Sequence, residues 1–315
     1  MPLRWGILGG ASGVSREAVA PALKTSERNV LVAEVSRDPD GSDRPYADLL
    51  KRPDIDAVYV PLPNGLHRRW AEAALAAGKH VLCEKPLGLN ETEAMAMFAA
   101  ADAAERWLIE AYMTPFHPRT QWMEHLVADG MLGELRSMHT AFTHTLAITR
   151  PTDHRLDPVL GRGASLDVGV YCVAPMLHAF GREPESVAAA ATMHVPRTDR
   201  SLAGFLDFGQ GASGAFDVSF EVPARQLLDV VGTEGRVTYL HAFNPQGAPT
   251  ELELVRGDGQ VETVAFDGTS AYLGMVDHVS DVIVRDVPVR FGRDGSLAVA
   301  RTLDRLRSAA GVDSP

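Results

Sequence analysis

A short apolar strand, Trp5 to Leu8, runs straight into Gly9-Gly10-Ala11-Ser12-Gly13 and then into a helical stretch from Ser15 to Lys24. This junction constrains the fold more than any other part of the chain. Glycine lets a backbone turn tightly, and the N–H groups that open a helix favour an anion. The alternation then continues. Strands are expected at Val30 to Val35, Ala57 to Val60, Val81 to Cys83 and Trp107 to Tyr112, with helices at Leu66 to Ala77 and Asn90 to Arg106. Asn90 and Glu93 have the spacing of a helix cap. Strands alternating with helices imply a doubly wound parallel sheet covered on both faces. Asp38 to Asp54, rich in Pro, Asp and Gly, breaks the rhythm. It is too short for a full strand–helix–strand unit of roughly 30 residues, so a helix there is expected to be missing or reduced to a turn around Tyr46 to Leu50.

Beyond Tyr112 the texture changes. A helix from Pro118 to Asp129 leads into an alternating strand, Leu135 to Thr145, and a loop through Arg150 to Arg162 precedes a helix from Ala164 to Phe180. Strands are expected at Ser186 to Val195, Ser201 to Phe208, Ala212 to Phe220, Gln226 to Val231, Arg236 to Leu240, Glu251 to Val255 and Val261 to Phe266. The glycine turns Gly209-Gln210-Gly211 and Gly257-Asp258-Gly259 between them suggest antiparallel hairpins. Helices from Ser270 to Arg285 and Ser296 to Ala309 follow. The expected architecture is a dinucleotide-binding α/β domain over residues 1–113, abridged after its second strand. An α+β domain over 114–315, built on a large, mainly antiparallel sheet, would bind substrate and form oligomers.

With 315 residues, 45% apolar and 23% charged, the chain has the composition of a soluble globular protein. A net charge of −11 argues against a nucleic-acid or acidic-membrane surface. Cys83 and Cys172 offer no metal-ligand spacing, and no metal site is expected. No apolar stretch has the length of a membrane span, and the first residues lack a signal-peptide pattern. A cytoplasmic setting is expected.

Several positions point to chemistry. The glycine turn places Gly9, Ala11, Ser12 and Gly13 where a pyrophosphate would lie, with Ala11 at the usual second glycine of the fingerprint. At the end of the second strand, where a carboxylate would hold the ribose of NAD, stand Ser36 and Arg37, a pair suited to a 2′-phosphate. NADP(H) is therefore favoured and NAD(H) remains open; Arg37 as a solvated loop residue is the alternative. Pro61-Leu62-Pro63-Asn64 and His67 follow another strand on the ligand edge. Asn64 is a cofactor contact or a helix cap, and His67 reaches the cofactor ribose or closes the first helical turn. Glu84-Lys85-Pro86 follows the strand after that. Asp167 and Tyr171, four apart on an expected helix, share a face. A cation, a carboxylate and a phenol together suit proton transfer coupled to hydride transfer. Taken singly, Asp167 is equally a helix-start residue and Tyr171 a half-buried aromatic.

These segments resemble the glucose–fructose oxidoreductase / inositol dehydrogenase / MocA family. The resemblance is carried by Arg4-Trp-Gly-Ile-Leu-Gly9, Asp56-Ala-Val-Tyr-Val-Pro-Leu-Pro-Asn64, Gly78-Lys-His-Val-Leu-Cys-Glu-Lys-Pro86, Glu110-Ala-Tyr-Met113 and Phe116-His-Pro118. It continues through Arg155-Leu-Asp-Pro158, Gly161-Arg-Gly-Ala-Ser-Leu-Asp-Val-Gly-Val-Tyr171 and Ser296-Leu-Ala-Val-Ala300. Within the family, dihydrodiol dehydrogenases and NADP-dependent aldose 1-dehydrogenases are most similar. The resemblance implies a Rossmann domain and an oxidoreductase acting on a CH–OH or C=O carbon of a sugar, cyclic polyol or related diol. Lys85 would touch the nicotinamide ribose and the substrate, Tyr171 would be the acid or base, and Asp167 would orient the substrate or Lys85. Glu84 would border the cofactor, Tyr112 the nicotinamide, and His154 and Arg155 the substrate pocket; His144 is expected in the core or at the rim. The second-domain sheet would form a homodimer or a dimer of dimers. Two departures stand out. The family's arginine after Tyr112-Met113 gives way to Thr114-Pro115-Phe116-His117-Pro118, and the short Asp38 to Asp54 segment is expected to lack the family's second helix. A glycosidase that retains NAD and a silent dinucleotide sensor are the rival functions.

Overall fold

The computed structural model describes residues 1–243 and 248–313. The chain forms two compact units, Met1–Phe116 with Ser270–Leu297, and His117–Thr269 with Ala298–Pro315.

The first unit is built on five parallel strands: β1 (Leu3–Leu8), β2 (Asn29–Val35), β3 (Ala57–Val60), β4 (His80–Glu84) and β5 (Leu108–Ala111), in the order β2-β1-β3-β4-β5. β3 and β5 are buried along their whole length, as strands covered on both faces must be. The helices Asn64–Ala76 and Glu91–Ala104 supply part of that cover through Trp70, Ala74, Leu75, Met97 and Phe98. Asn90 caps the second helix, its Oδ1 accepting the Glu93 N–H at 2.9 Å, and the Glu93 carboxylate accepts the Leu89 N–H at 2.9 Å. The helix expected from Ser15 begins instead as a π-helical turn, Ser15–Val19, before Ala20–Thr25. Pro21 has no N–H to donate to the carbonyl four residues back, which favours the wider turn.

The interval after β2 keeps more than a turn. Arg44–Leu50 is a seven-residue helix with Pro45 in its first turn, a position that costs proline nothing. Tyr46, Leu49 and Leu50 are buried, and the Tyr46 ring meets Trp70 edge-on at 5.0 Å. Leu49 covers Gly6 of β1, where an added Cβ would lie 2.7 Å from Leu49 Cδ2. The helix thus persists in shortened form, because β1 still needs an apolar lid. The next element is β3, which pairs in parallel with β1.

The segment 270–297 returns to this unit, an arrangement that a single boundary at 113/114 does not contain. Its helix Ala271–Arg285 is capped by Ser270 Oγ on the Leu273 N–H. Asn29 at the start of β2 is the polar seam. Its Oδ1 accepts Trp5 Nε1 at 2.6 Å and Ser280 Oγ at 2.5 Å, while Arg28 pairs with Asp281 at 2.8 Å.

The second unit holds eight strands: β6 (Leu135–Thr143), β7 (Ser186–Val195), β8 (Thr198–Gly209), β9 (Ala212–Ser219), β10 (Arg225–Gly232), β11 (Gly235–Leu240), β12 (Thr250–Arg256) and β13 (Val261–Phe266). Their order is β13-β12-β11-β10-β6-β9-β8-β7, and only β6 and β9 run parallel. The β8–β9 hairpin turns through Gly209, Gln210 and Gly211, all at positive φ. Met138, Val218, Leu206, Leu228 and Val237 turn inward along alternating strands. On the opposite face one rung aligns His139, Ala215, Phe205 and Ala188 across four strands, and Phe205 is 48% exposed. The helix expected from Ala164 to Phe180 is broken at Val168 into Ala164–Asp167 and Gly169–Phe180. Its first turn is tied to Asp199, which accepts both the Ser165 N–H and Oγ at 2.9 and 2.6 Å. Asp167 and Tyr171 therefore stand on either side of a break and not on one continuous helical face.

Candidate active site

At the carboxyl end of β1, the Gly9 and Gly10 N–H groups both donate to Val35 O of β2, at 2.8 and 2.9 Å. Gly9 has φ 105°, and an added Cβ would lie 2.9 Å from Leu62 Cδ2, so the turn rests on the Pro61–Leu62 loop and only glycine fits there. The Ala11 N–H donates to Ser36 Oγ at 3.0 Å, and Ser12 Oγ accepts the Ser15 N–H at 3.2 Å. Gly9, Ala11, Ser12, Gly13, Ser36, Pro61 and Leu62 are thereby gathered on one edge of the sheet. Ala11 and Gly13 are exposed at the tip of the turn, and Arg37 is exposed just beyond Ser36. Exposed backbone at a helix start suits a pyrophosphate, and a nearby guanidinium suits a 2′-phosphate, so these residues fit NADP(H).

The cap of the next helix falls on Pro63, and Asn64 is its first residue and buried. His67 is fully buried. Its Nδ1 lies 2.8 Å from Pro86 O and its Nε2 2.7 Å from Leu62 O, so its ring joins two loops on the ligand edge. From Val81 to Leu89 every residue is buried except Lys85, which is partly accessible. Glu84 accepts a hydrogen bond from the Tyr59 hydroxyl at 2.7 Å. Burial, reinforced by the Glu84 charge, pushes the Tyr59 phenol well above its usual pKa. The Leu87 N–H donates to Glu110 Oε1 at 3.0 Å. Burial raises the Glu110 carboxyl to about 7, against the opposing pull of the Ser296 hydroxyl and the Leu87 N–H. Tyr112 is buried against Phe291, with ring centroids 4.9 Å apart. Tyr59 and Glu110 lie inside segments that carry the family resemblance, but the sequence reading gave neither of them a role.

In the second unit Arg155 is the organising residue. Its Nε lies 3.1 Å from Asp167 Oδ2, and its Nη1 donates to Asp153 Oδ1 and Oδ2 at 3.0 and 3.2 Å. The Asp167 charge is the main cause that raises the Arg155 pKa. His154 packs beside Asp153 at 3.4 Å, and burial lowers its pKa. The glycines that follow are steric necessities. The Gly163 N–H donates to Arg155 O at 2.8 Å, and an added Cβ at Gly161 would strike the Arg155 backbone. Tyr171 is buried among aromatic rings, 5.2 Å from Phe142 and 5.8 Å from Phe243, which stack on each other at 13°. His144 packs on Phe220 at 4.8 Å, at the rim of that cluster. Phe142 and Phe243 were not singled out either, since an aromatic on a strand reads as core.

Among the described residues no helix is long and apolar enough to cross a membrane, and no group of three or more metal-ligating side chains is found.

Residues 4–112 match the model of an oxidoreductase family with an NAD-binding Rossmann fold, and residues 120–238 match the GFO/IDH/MocA C-terminal domain. The chain is 33% identical over 320 residues to a D-xylose 1-dehydrogenase (NADP+) of Haloferax volcanii, covering 98% of this chain and 97% of that one. It is 31% identical over 339 residues to human trans-1,2-dihydrobenzene-1,2-diol dehydrogenase, covering 100% and 99%. A 3-ketoreductase from Actinomadura kijaniata, solved with NADP and TDP-benzene, superposes with a TM-score of 0.89 at 27% identity over 98% of both chains. Ketoreductases thus join the aldose and dihydrodiol dehydrogenases among similar proteins, so the narrower likeness to the latter two does not define the chain. The breadth of these matches, over both units, shows that the chain belongs to the Gfo/Idh/MocA family of NAD(P)-dependent oxidoreductases.

Proposed function

We propose that the protein is an NADP(H)-dependent oxidoreductase acting on a CH–OH or C=O carbon of a sugar, cyclic polyol or related diol. The observation that carries this is Lys85, the one partly accessible residue in a buried run at the ligand edge of the first sheet. Nine consecutive positions that bury all but a lysine are shaped to present that lysine. The nicotinamide, when bound, supplies or accepts the hydride. Tyr171 gives a proton to the substrate oxygen during reduction and takes it during oxidation. Lys85 supplies the cation on the cofactor side, and Asp167, held by Arg155, orients the substrate hydroxyl. The faces of Phe142 and Phe243 beside Tyr171 suit the C–H side of a sugar or carbocyclic ring. Retention of Lys85, Asp167 and Tyr171 together speaks against a silent sensor. A glycosidase using retained NAD would turn over a glycoside with no net change in reduced cofactor.

The test is a screen of aldoses, inositols, dihydrodiols and keto-sugars, free and nucleotide-linked, with both nicotinamides, followed by absorbance of the reduced cofactor. With the substrate so found, Lys85→Ala and Tyr171→Phe are each expected to lower kcat at least about a hundredfold. Rates near wild type in both variants overturn the assignment.

We also propose that the open face of the second unit's sheet, with Phe205 among small residues such as Ala188 and Ala215, pairs with a second copy of the chain. Its support is the exposed ring and the family's use of this sheet.

A further inference from the structure

Lys85 is followed by a single peptide unit, Pro86–Leu87, that is gripped at both ends by buried ionisable side chains. Its carbonyl oxygen lies 2.8 Å from His67 Nδ1, and its N–H donates to Glu110 Oε1 at 3.0 Å. On the other side of Lys85, the Glu84 carboxylate is held by the Tyr59 hydroxyl at 2.7 Å. These tethers come from the helix Asn64–Ala76, from β5 and from β3. They converge on Glu84, Pro86 and Leu87, which flank the one residue in the run that stays accessible.

The chemical choice is informative. Burying a histidine and a glutamate is costly, and apolar side chains would fill the same space without that cost. What the pair provides is directional: a carboxyl oxygen at the N–H edge of the peptide and a ring nitrogen at its C=O edge. His67 faces Leu62 O with its other nitrogen at 2.7 Å, so the ring is held between two carbonyls. A ring nitrogen at the carbonyl and a carboxyl oxygen at the N–H grip the two polar ends of the peptide. The Ser296 hydroxyl also pulls on the Glu110 carboxyl, and Oε1 is the oxygen that takes the Leu87 N–H.

We propose that His67 and Glu110 are positioning residues that clasp the Pro86–Leu87 peptide and through it fix the direction of the Lys85 side chain. This rests on the reading of Lys85 as the cofactor-facing cation. A lysine stem is flexible, and misplacing a catalytic group by about 1 Å costs on the order of a hundredfold in rate. Anchoring the backbone at the base of the stem limits the arc its ammonium sweeps.

The test is a double-mutant cycle read by NADPH binding, with nicotinamide fluorescence as the signal. Lys85→Ala is expected to weaken NADPH about tenfold and Glu110→Ala about fivefold, the latter as for loss of one ordinary hydrogen bond. In the Lys85→Ala background, Glu110→Ala should add less than about twofold, because its effect runs through the missing lysine. Glu110→Gln, which keeps an oxygen for the Leu87 N–H, should stay within about threefold of wild type. Full additivity, or a Glu110→Gln as weak as Glu110→Ala, overturns the clasp and leaves Lys85 standing. Wild-type affinity in Lys85→Ala overturns the reading of Lys85, and the clasp with it. If Glu110→Ala does not fold, His67→Gln takes its place in the cycle under the same criteria.

Discussion

Glu110 has a consequence for stability that is separate from its grip on Leu87. Burial is the largest cause of its rise from 4.5 to about 7; Glu84 adds to it, while Ser296, the Leu87 N–H and Lys85 oppose it. Between those two values the folded protein holds a proton that the unfolded chain has released. Stability contributed by the neutral acid is therefore complete below about 4.5, falls as pH rises through the window, and is lost above about 7. A shift of this size corresponds to about 3 kcal/mol. Glu110→Gln has no proton to release. Relative to wild type it should gain up to about 3 kcal/mol between pH 5 and pH 8 in urea unfolding. A difference that stays constant across that range rejects the assignment of the raised carboxyl.

At the scale of elements, the turn from Gly161 to Tyr171 owes its shape to a buried ion pair far away in sequence. Gly163, at φ 98°, lies against Asp199, where any Cβ would strike the Asp199 carbonyl. Asp199 holds Ser165, and Arg307 Nη1 reaches Asp199 Oδ1 and Arg162 O, each at 3.1 Å. Both members of the pair are inaccessible to solvent. Burial raises the Asp199 pKa and Arg307 opposes the rise, so the arginine is what makes an ionised Asp199 tolerable there. Arg307→Leu leaves that carboxylate without its partner and should destabilise the protein by about 3–5 kcal/mol in chemical denaturation. A loss below about 1 kcal/mol would mean that Asp199 is protonated or solvated and that the turn stands without the pair. The glycines and Asp167 of this turn were legible from their spacing. Arg155 was marked as a pocket residue, but its grip on Asp167 was not, because nothing in a linear pattern tells a cation that meets substrate from one that holds a carboxylate.

At the scale of the whole molecule, the open sheet face is where we propose that a second copy of the chain pairs. Along β7 and β8 one rung carries Ala188 and Phe205 outward, and exposed apolar surface of this kind marks association. The protein should sediment at twice the chain mass. Phe205→Glu, which places a charge on that face, should shift it to the monomer with its circular dichroism unchanged. A monomeric wild type at micromolar concentration would end the proposal.

The amino-acid sequence by itself determined the parallel first sheet and the hairpins of the second, and marked Gly9, Lys85, Asp167 and Tyr171 as candidates. It could do so because strand alternation, glycine turns and short motifs are set by neighbours within a few residues. The shortness of the interval after β2 was legible from length alone, but the seven-residue helix Arg44–Leu50, which buries Tyr46, Leu49 and Leu50, exceeds the turn expected there. Only the tertiary structure decided that 270–297 rejoins the first unit, that His67 and Glu110 meet on one peptide, and that Arg307 sustains Asp199. Each of these joins groups far apart in the chain, and such pairings are selected by burial and by the need to satisfy buried polar atoms. That need arises only once the chain has closed around them, and it leaves no periodic trace in the residues themselves.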